Sequence, residues 1–444
     1  MQTEQNETRL KLLQIHCPGL EISSEKTVLE SHGCDWTRFR KPDAAAVVFP
    51  RSADEVCQLV SLARQHRSPL VPSGGRTGLS GGAVAPAGEV VVSFDRMRRL
   101  IDFNAVDRTL TVEPGAVTQA VQEYASQKNL YYPVSFASEG SSQIGGNIAT
   151  NAGGIRVLRY GLTRDQVVGL KVVDGRGVLI ECNGGLVKNA SGYDLRHLFI
   201  GSEGTLGLIV EATLRLVDPP EPSRVMLLAV SGLEGMMTVF RQFNDALRLT
   251  AFEFLSAAAM SYVRAGHGLP APMDTDAPYY ALLEFDCADS SLEDRALQCF
   301  ENCLDDGSVL DGVISQSESQ AMDLWRYREG ISEAITEYTP YKNDLSVRIS
   351  QIPAYLNDLD QLARSRYPHY EVLWYGHFGD GNLHMNILKP EKMSVDEFEK
   401  VCAKVNPEVF ELTREHNGSI SAEHGIGLLK QAYLPYTRSE ADIE

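Results

Sequence analysis

Two histidines at the ends of one tight turn are the residues of this sequence best placed to do chemistry. "GHFGDGNLH" sets His377 and His384 on either side of the turn-forming run Gly379-Asp380-Gly381-Asn382, and each lies against apolar residues typical of a strand. A hairpin here brings two imidazoles together, as two ligands of one metal would need. A third ligand is on offer in "ISAEHGIG", where Glu423 and His424 are adjacent and glycines follow. Two neutral imidazoles and a carboxylate with an open position make a catalytic rather than a structural zinc set. The histidines could instead cap the hairpin and hydrogen-bond locally, and the residues alone leave both readings open.

Glycine suggests a second chemistry. "VPSGGRTGLSGG" carries Gly74, Gly75 and Gly78, whose bare backbone lets N–H groups converge into a nest for phosphate oxygens. It lacks both the Gly-x-Gly-x-x-Gly spacing and the Gly-Lys-Ser/Thr ending, so it is neither the dinucleotide fingerprint nor a P-loop. "SSQIGGNIATNAGGIRVLRYG" repeats the theme with Gly145, Gly146, Gly153 and Gly154, and "IGSEGTLG" places Gly201, Gly204 and Gly207 before a strand. One such loop is commonly just a turn. Three in one half of a chain imply backbone that comes close to a large ligand.

Basic residues suggest a third. "DLWRYREGISEAITEYTPYKNDLSVRI" carries Arg326 and Arg328 on a helical stretch. They could be solvated side chains on an amphipathic face. Arginine's planar fork is equally the natural clamp for a carboxylate. Cys299 and Cys303 stand four apart on another helical stretch, but no second pair accompanies them, so core cysteines are the simpler reading.

The elements that must position these groups belong to a chain of 444 residues, which suggests two or three domains at roughly 150 residues each. Hydrophobic content of 43% and charged content of 23% are those of a globular protein with a large core. The net charge of -18 opposes encounter with nucleic acid or an anionic membrane, though a local field can still receive a small anion. No apolar run of about 18 uncharged residues occurs, and the first residues lack a basic-then-apolar leader, so a cytoplasmic enzyme is the simplest expectation. Eight scattered cysteines give no disulfide framework.

The fold class expected is α+β. From Pro50 to about Val217, helical stretches such as "SADEVCQLVSLARQH" alternate with β-branched runs, "EVVVSF", "TLTVEPG" and "VVGLKVV". Pro219, Pro220 and Pro222 then break any regular element. Beyond them "VMLLAVSG", "YYALLEFDC", "LSVRISQIP", "YEVLWYGHF" and "HMNILKP" read as strands of an antiparallel sheet covered by helices such as "LEDRALQCFENCL" and "MSVDEFEKVCAKVNPEVFELTREHN". The boundaries expected are 1–219, 220–415 and a C-terminal segment, 416–444, returning to the first domain.

In order and spacing, the three glycine-rich segments resemble the FAD-binding domain of the vanillyl-alcohol-oxidase and p-cresol-methylhydroxylase flavoprotein superfamily. The resemblance runs through "GHFGDGNLHMN" and "AEHG", and is greatest to the FAD-dependent D-2-hydroxyacid dehydrogenases, which include D-lactate and D-2-hydroxyglutarate dehydrogenases and the glycolate oxidase FAD subunit. It implies that Pro72, Gly74, Gly75, Arg76, Thr77 and Gly78 hold the FAD pyrophosphate side. Gly145, Gly146, Asn147, Thr150, Gly153, Gly154, Glu203 and Ile209 would line the flavin. It also implies a divalent ion, zinc first and manganese or cobalt as alternatives, on His377, His384 and Glu423, with His424 as general base. Arg328, Ser332, Lys342 and Asn386 match substrate-binding positions.

The reaction implied is oxidation of a D-2-hydroxy acid to the 2-oxo acid, a hydride passing to flavin N5. Arg328 and Lys342 together offer one cation more than a monocarboxylate needs, which favours D-2-hydroxyglutarate over D-lactate or glycolate. A metallohydrolase using the same histidines and glutamate is the competing class. None of the ten histidines lies between Leu70 and Asp194, so non-covalent FAD is expected. The resemblance also implies an electron-transfer flavoprotein, quinone or cytochrome as acceptor, is compatible with a homodimer, and calls for a C-terminal "Asn-Pro-Gly-Lys"-like tail that does not appear before "RSEADIE".

Overall fold

The computed structural model describes residues 2–37 and 39–444. It is a mixed helix and sheet protein whose chain forms two compact units. One comprises Met1–Gly154, Tyr160–Pro219 and Glu423–Gln431; the other comprises Ile155–Arg159, Pro220–Ala422 and Ala432–Glu444. The major change of unit falls at Pro219–Pro220. The last 29 residues do not stay together, because Glu423–Gln431 joins the first unit while its flanks belong to the second.

Among the described residues the first unit holds two sheets. In the four-stranded one, Glu21–Ser23 pairs antiparallel with Ala46–Phe49, and Ala46–Phe49, Val90–Ser93 and Leu70–Ser73 run parallel. The helix Ala53–Gln65 starts where Ser52 accepts the Glu55 N–H. Its residues Val56, Leu59, Val60 and Ala63 recur at one-face spacing and are buried. The five-stranded sheet is antiparallel, in the order Leu100–Asn104, Thr109–Val112, Gly207–Arg215, Val167–Asp174, Leu179–Cys182. The glycine-rich segments sit where regular elements stop or start: after Leu70–Ser73, through the helix Ile144–Thr150, and into Gly207–Arg215.

The second unit is built on one antiparallel sheet of seven strands. Its order is Val309–Ile314, Ser223–Val230, Tyr279–Asp286, Leu249–Ser256, Val372–His377, Asn382–Ile387, Tyr341–Ser346. Strand side chains alternate between faces. Val225, Leu227, Ala251 and Leu282 pack with Ala259, Met260 and Trp325 of the helices Ala257–His267 and Glu318–Glu329. Phe252 and Phe254 lie on the other face, and with Phe378 and Phe240 they form an aromatic cluster with centroids 5.1 to 6.1 Å apart. The five residues Ile155–Arg159 join this unit by charge and by packing: Arg156 Nε is 3.5 Å from Glu284, Arg159 Nη2 is 3.5 Å from Asp286, and Ile155 packs against the helix-covered core.

One expected strand is displaced. "LSVRISQIP" contributes only its first residues to the strand Tyr341–Ser346, and from Ile349 the chain turns into a 3-10 segment and the helix Ile352–Arg366. Pro353 at the first helical turn, where no donor is needed, starts that helix. The strand itself is the more polar "YKNDLS", which alternation alone rates poorly.

Candidate active site

The hairpin is real and its register decides which side chains meet. Val372–His377 pairs with Asn382–Ile387 so that Tyr375 faces His384 and His377 faces Asn382 across the strands. The imidazoles of His377 and His384 approach to 5.4 Å between centroids, nearly perpendicular at 81°. Gly381 makes the turn in the left-handed region at φ 89°, where a Cβ would lie 2.1 Å from the Val347 carbonyl. His377 Nδ1 is 2.8 Å from the Glu253 carboxylate, and His384 Nδ1 is 3.7 Å from Asp344, beyond hydrogen-bond distance. Asp344 in turn accepts from the Asn382 amide at 2.8 Å and the Ala422 N–H at 3.1 Å. A carboxylate behind Nδ1 orients an imidazole so that Nε2 is the ligating nitrogen, and this donor set suits a divalent ion that accepts histidine.

Glu253 serves two groups at once. Its second oxygen lies 2.8 Å from Arg328 Nε, and Arg328 stacks its guanidinium 5.0 Å above the Tyr375 ring. Arg328, at the end of the helix Glu318–Glu329, is 7% exposed, yet its Nη2 has no hydrogen-bond partner. Asn386 is 1% exposed, and its side-chain amide meets the Tyr375 hydroxyl but is otherwise without a partner. A buried polar atom left unpaired costs roughly 1–3 kcal/mol, so a cluster of them is an arrangement prepared for a ligand. Ser332 Oγ is 3.0 Å from the Tyr375 hydroxyl, whose pKa is raised by burial. Lys342 sits across from Asn386 in the register. Desolvation lowers the pKa of its ammonium, although the residue keeps an exposed surface. Arg326 is solvated and pairs with Asp323 at 3.6 Å, so of the two helical arginines only Arg328 joins this face.

In the first unit, one cleft is lined by Pro72, Gly74, Gly75, Arg76, Thr77 and Gly78 together with Gly145, Gly146, Asn147, Thr150, Glu203 and Ile209. Glycine is needed for two reasons. At Gly75 a Cβ would meet the Ser141 carbonyl at 2.2 Å, so two loops touch there; at Gly146 it would meet nothing within 4 Å, so bare backbone faces the open cleft. Gln143 Oε1, buried and without a donor, also lines the cleft. Bare backbone and an unpaired acceptor lining one cleft fit a dinucleotide. Gly153 and Gly154 are not among its lining residues; a Cβ on Gly154 would strike the Ser135 carbonyl at 2.0 Å, so its bareness serves packing.

The first loop is braced from below. Asp95 takes hydrogen bonds from Gln143 at 2.7 Å and Arg98 at 2.5 Å, and contacts Arg76 at 3.4 Å and His32 at 3.3 Å. Burial opposes its charge, but the bonds to His32 and Arg98 and the charge of Arg76 outweigh it and hold the carboxyl far below its ordinary range. The stretch Glu423–Gln431, carrying Glu423 and His424, is part of the same unit.

Glu253, Asp344, Tyr375 and Gln143 did not stand out in the sequence. For Glu253 a signal existed: one acid in "LTAFEFLS", an otherwise apolar strand whose eight residues are all buried. A buried charge is kept only where it is paired. Cys299 and Cys303 are core residues, with burial pushing the Cys303 thiol up to about 12.

The chain is similar to known proteins. Residues 44–183 match the family described as FAD binding domain, and residues 219–444 match that described as FAD linked oxidases, C-terminal domain. The chain is 53% identical over 427 residues to a D-2-hydroxyglutarate dehydrogenase of Stutzerimonas stutzeri, covering 96% of this chain and 92% of the relative. It is 36% identical to the mitochondrial D-2-hydroxyglutarate dehydrogenase of Bos taurus, covering 98% and 79%. Among solved structures, p-cresol methylhydroxylase aligns with a TM-score of 0.73 at 12% identity over 100% of this chain and 93% of that one, a likeness of fold. The 4-ethylphenol oxidase of Gulosibacter chungangensis aligns at 0.74 and 14%, over 99% and 92%. A cleft floored by bare glycine backbone, an antiparallel sheet carrying the paired imidazoles, and these relatives lead to one assignment: the chain belongs to the FAD-linked oxidases, in the family of FAD-dependent D-2-hydroxyacid dehydrogenases.

Proposed function

We propose that this oxidoreductase converts D-2-hydroxyglutarate to 2-oxoglutarate. The carrying observation is the pair of buried polar groups beside the imidazole pair, the Arg328 guanidinium, whose Nη2 has no partner, and the Asn386 amide, whose side chain meets only the Tyr375 hydroxyl. The names of the relatives at 53% and 36% identity support the substrate. FAD supplies a two-electron acceptor, and a divalent ion, zinc in this reading, supplies Lewis acidity that makes the C2 hydroxyl more acidic.

The chain's own residues do the rest. His377 and His384 would hold the ion with Glu423, which directly follows Ala422, itself anchored to Asp344. Arg328 and Lys342 take the substrate carboxylates, with Ser332 and Asn386 as neutral partners, and so orient C2. Glu253 keeps Arg328 and His377 in place. His424 accepts the hydroxyl proton while C2 gives up its hydrogen with the bonding pair, leaving the 2-oxo acid. The glycine-rich cleft holds FAD through Gly74, Gly75, Arg76, Thr77, Gly78, Gly145, Gly146, Asn147, Thr150 and Ile209, and without a covalent link. Reoxidation would fall to an electron-transfer flavoprotein, a quinone or a cytochrome.

Anaerobic titration with a panel of D- and L-2-hydroxy acids, followed at the flavin absorbance, tests the reading. D-2-hydroxyglutarate should bleach the flavin fastest. Lys342→Ala should lower kcat/KM for it by about ten- to a hundredfold, the effect of losing one hydrogen bond to a charged group, and should hardly change D-lactate. A preference for D-lactate, or an equal loss on both substrates, would show that no second carboxylate is recognised.

A further inference from the structure

Glu203 lies in "GSEGTLG" and lines the cofactor cleft, but its carboxylate is engaged elsewhere. Its two oxygens accept the backbone N–H groups of consecutive residues, Ile426 at 2.8 Å and Gly427 at 2.8 Å. These follow His424 by two and three positions. The fit is tight: a Cβ on Gly425, at φ 81°, would stand 2.8 Å from the Glu203 carboxylate. One on Gly427, at φ 46°, would stand 2.2 Å from the Ser80 carbonyl, the same carbonyl that accepts the Leu429 N–H at 3.0 Å. Glu203 itself adopts φ 51°, in the left-handed region that a side chain of its length rarely occupies. Its N–H is tied to the Ala149 carbonyl at 2.8 Å, at the end of the glycine-rich helix Ile144–Thr150.

We infer that Glu203 is a positioning residue for the reaction: it fixes the turn that carries His424 by bonding two successive amides, and so makes the base's position depend on the cofactor loops. A carboxylate taking two N–H groups forms charge-assisted bonds of the stronger kind. An amide can accept with only one of its two ends, so glutamine at this site would release one of the two N–H groups without changing the shape of the cleft. The inference rests on the proposed role of His424 as base.

The test uses FAD-loaded enzyme with D-2-hydroxyglutarate as probe, comparing wild type, Glu203→Gln and His424→Ala. In Glu203→Gln, hydrogen exchange should speed up at Ile426 and Gly427, and kcat should fall on the order of a hundredfold, as displacement of a catalytic group by about 1 Å can do. KM and the dissociation constant of FAD should stay within about twofold, since Glu203 lines the cleft but both its carboxylate oxygens are taken by the Ile426 and Gly427 N–H groups. Weaker FAD binding with unchanged exchange would overturn the inference, since Glu203 would then serve the cofactor. Faster exchange with unchanged kcat would overturn it too, since the turn would not set the chemistry. If His424→Ala retains turnover, the reading of His424 as base fails, and the exchange data still report whether Glu203 holds the turn.

Discussion

Glu253 shows how one buried charge can set a site. It is 1% exposed and holds His377 Nδ1 with one oxygen and Arg328 Nε with the other. Removing the carboxylate therefore disturbs two groups and leaves the Arg328 guanidinium buried without its counter-charge. Losing a carboxylate partner behind a metal-bound histidine costs about ten- to a hundredfold in metal affinity or activity. Breaking a buried ion pair from one side costs about 3–5 kcal/mol. Glu253→Ala should show both, read as kcat/KM and as the free energy of chemical unfolding, whereas Glu253→Gln keeps the shape and should lose less stability. Wild-type activity in either variant would mean that Tyr375 and the hairpin hold Arg328 and His377 unaided. His377, His384 and Arg328 were legible as candidates because their types and spacing are unusual in themselves. Glu253 was not, because its meaning comes from a strand paired 124 residues away in the chain.

At the scale of elements, the hairpin that presents the imidazoles depends on backbone at one residue. Gly381 combines φ 89° with a Cβ position 2.1 Å from the Val347 carbonyl, so Gly381→Ala meets both strain and a backbone clash. Strain in such a backbone region alone costs on the order of 1–3 kcal/mol, and the clash adds to it. Relief by a slip of one residue would turn every side chain of a strand to the opposite face, His384 included. The variant should unfold at lower urea concentration and bind less metal. Gly175→Ala is the control: a Cβ there meets nothing within 4 Å, so stability should move by no more than about 0.5 kcal/mol. Equal midpoints for the two variants would show that the turn tolerates a side chain. The glycine-rich turn was readable in sequence because only glycine serves there. The strand Tyr341–Ser346 was not, since "YKNDLS" spends its alternate positions on the polar Lys342 and Asp344, which pair in register with Asn386 and His384.

Across the whole molecule, the cofactor loops and the imidazole pair are built by different units. The cleft residues from Pro72 to Ile209 belong to the first, and His377 and His384 to the second. Proline punctuation revealed the change at Pro219–Pro220. It could not reveal that Ile155–Arg159 would join the second unit, because that depends on Glu284 and Asp286 meeting Arg156 and Arg159 in the folded chain. The imidazoles are therefore built apart from the cofactor loops while Glu423 shares the loops' unit, and experiment can tell whether the two cofactors separate. A chelator that strips a divalent ion acts on ligands whose loss leaves the glycine loops, their bracing Asp95 and the contacts of Arg76 and Gln143 in place. Dialysis against chelator should therefore abolish turnover while the protein stays yellow, and added zinc should restore the rate. Acid precipitation should then release the colour, since no histidine lies between Leu70 and Asp194 to hold flavin covalently. Full turnover in protein shown to be metal-free would remove the ion from the mechanism. Loss of colour together with the ion would mean that flavin binding depends on the metal ligands, and that the two sites are not independently built.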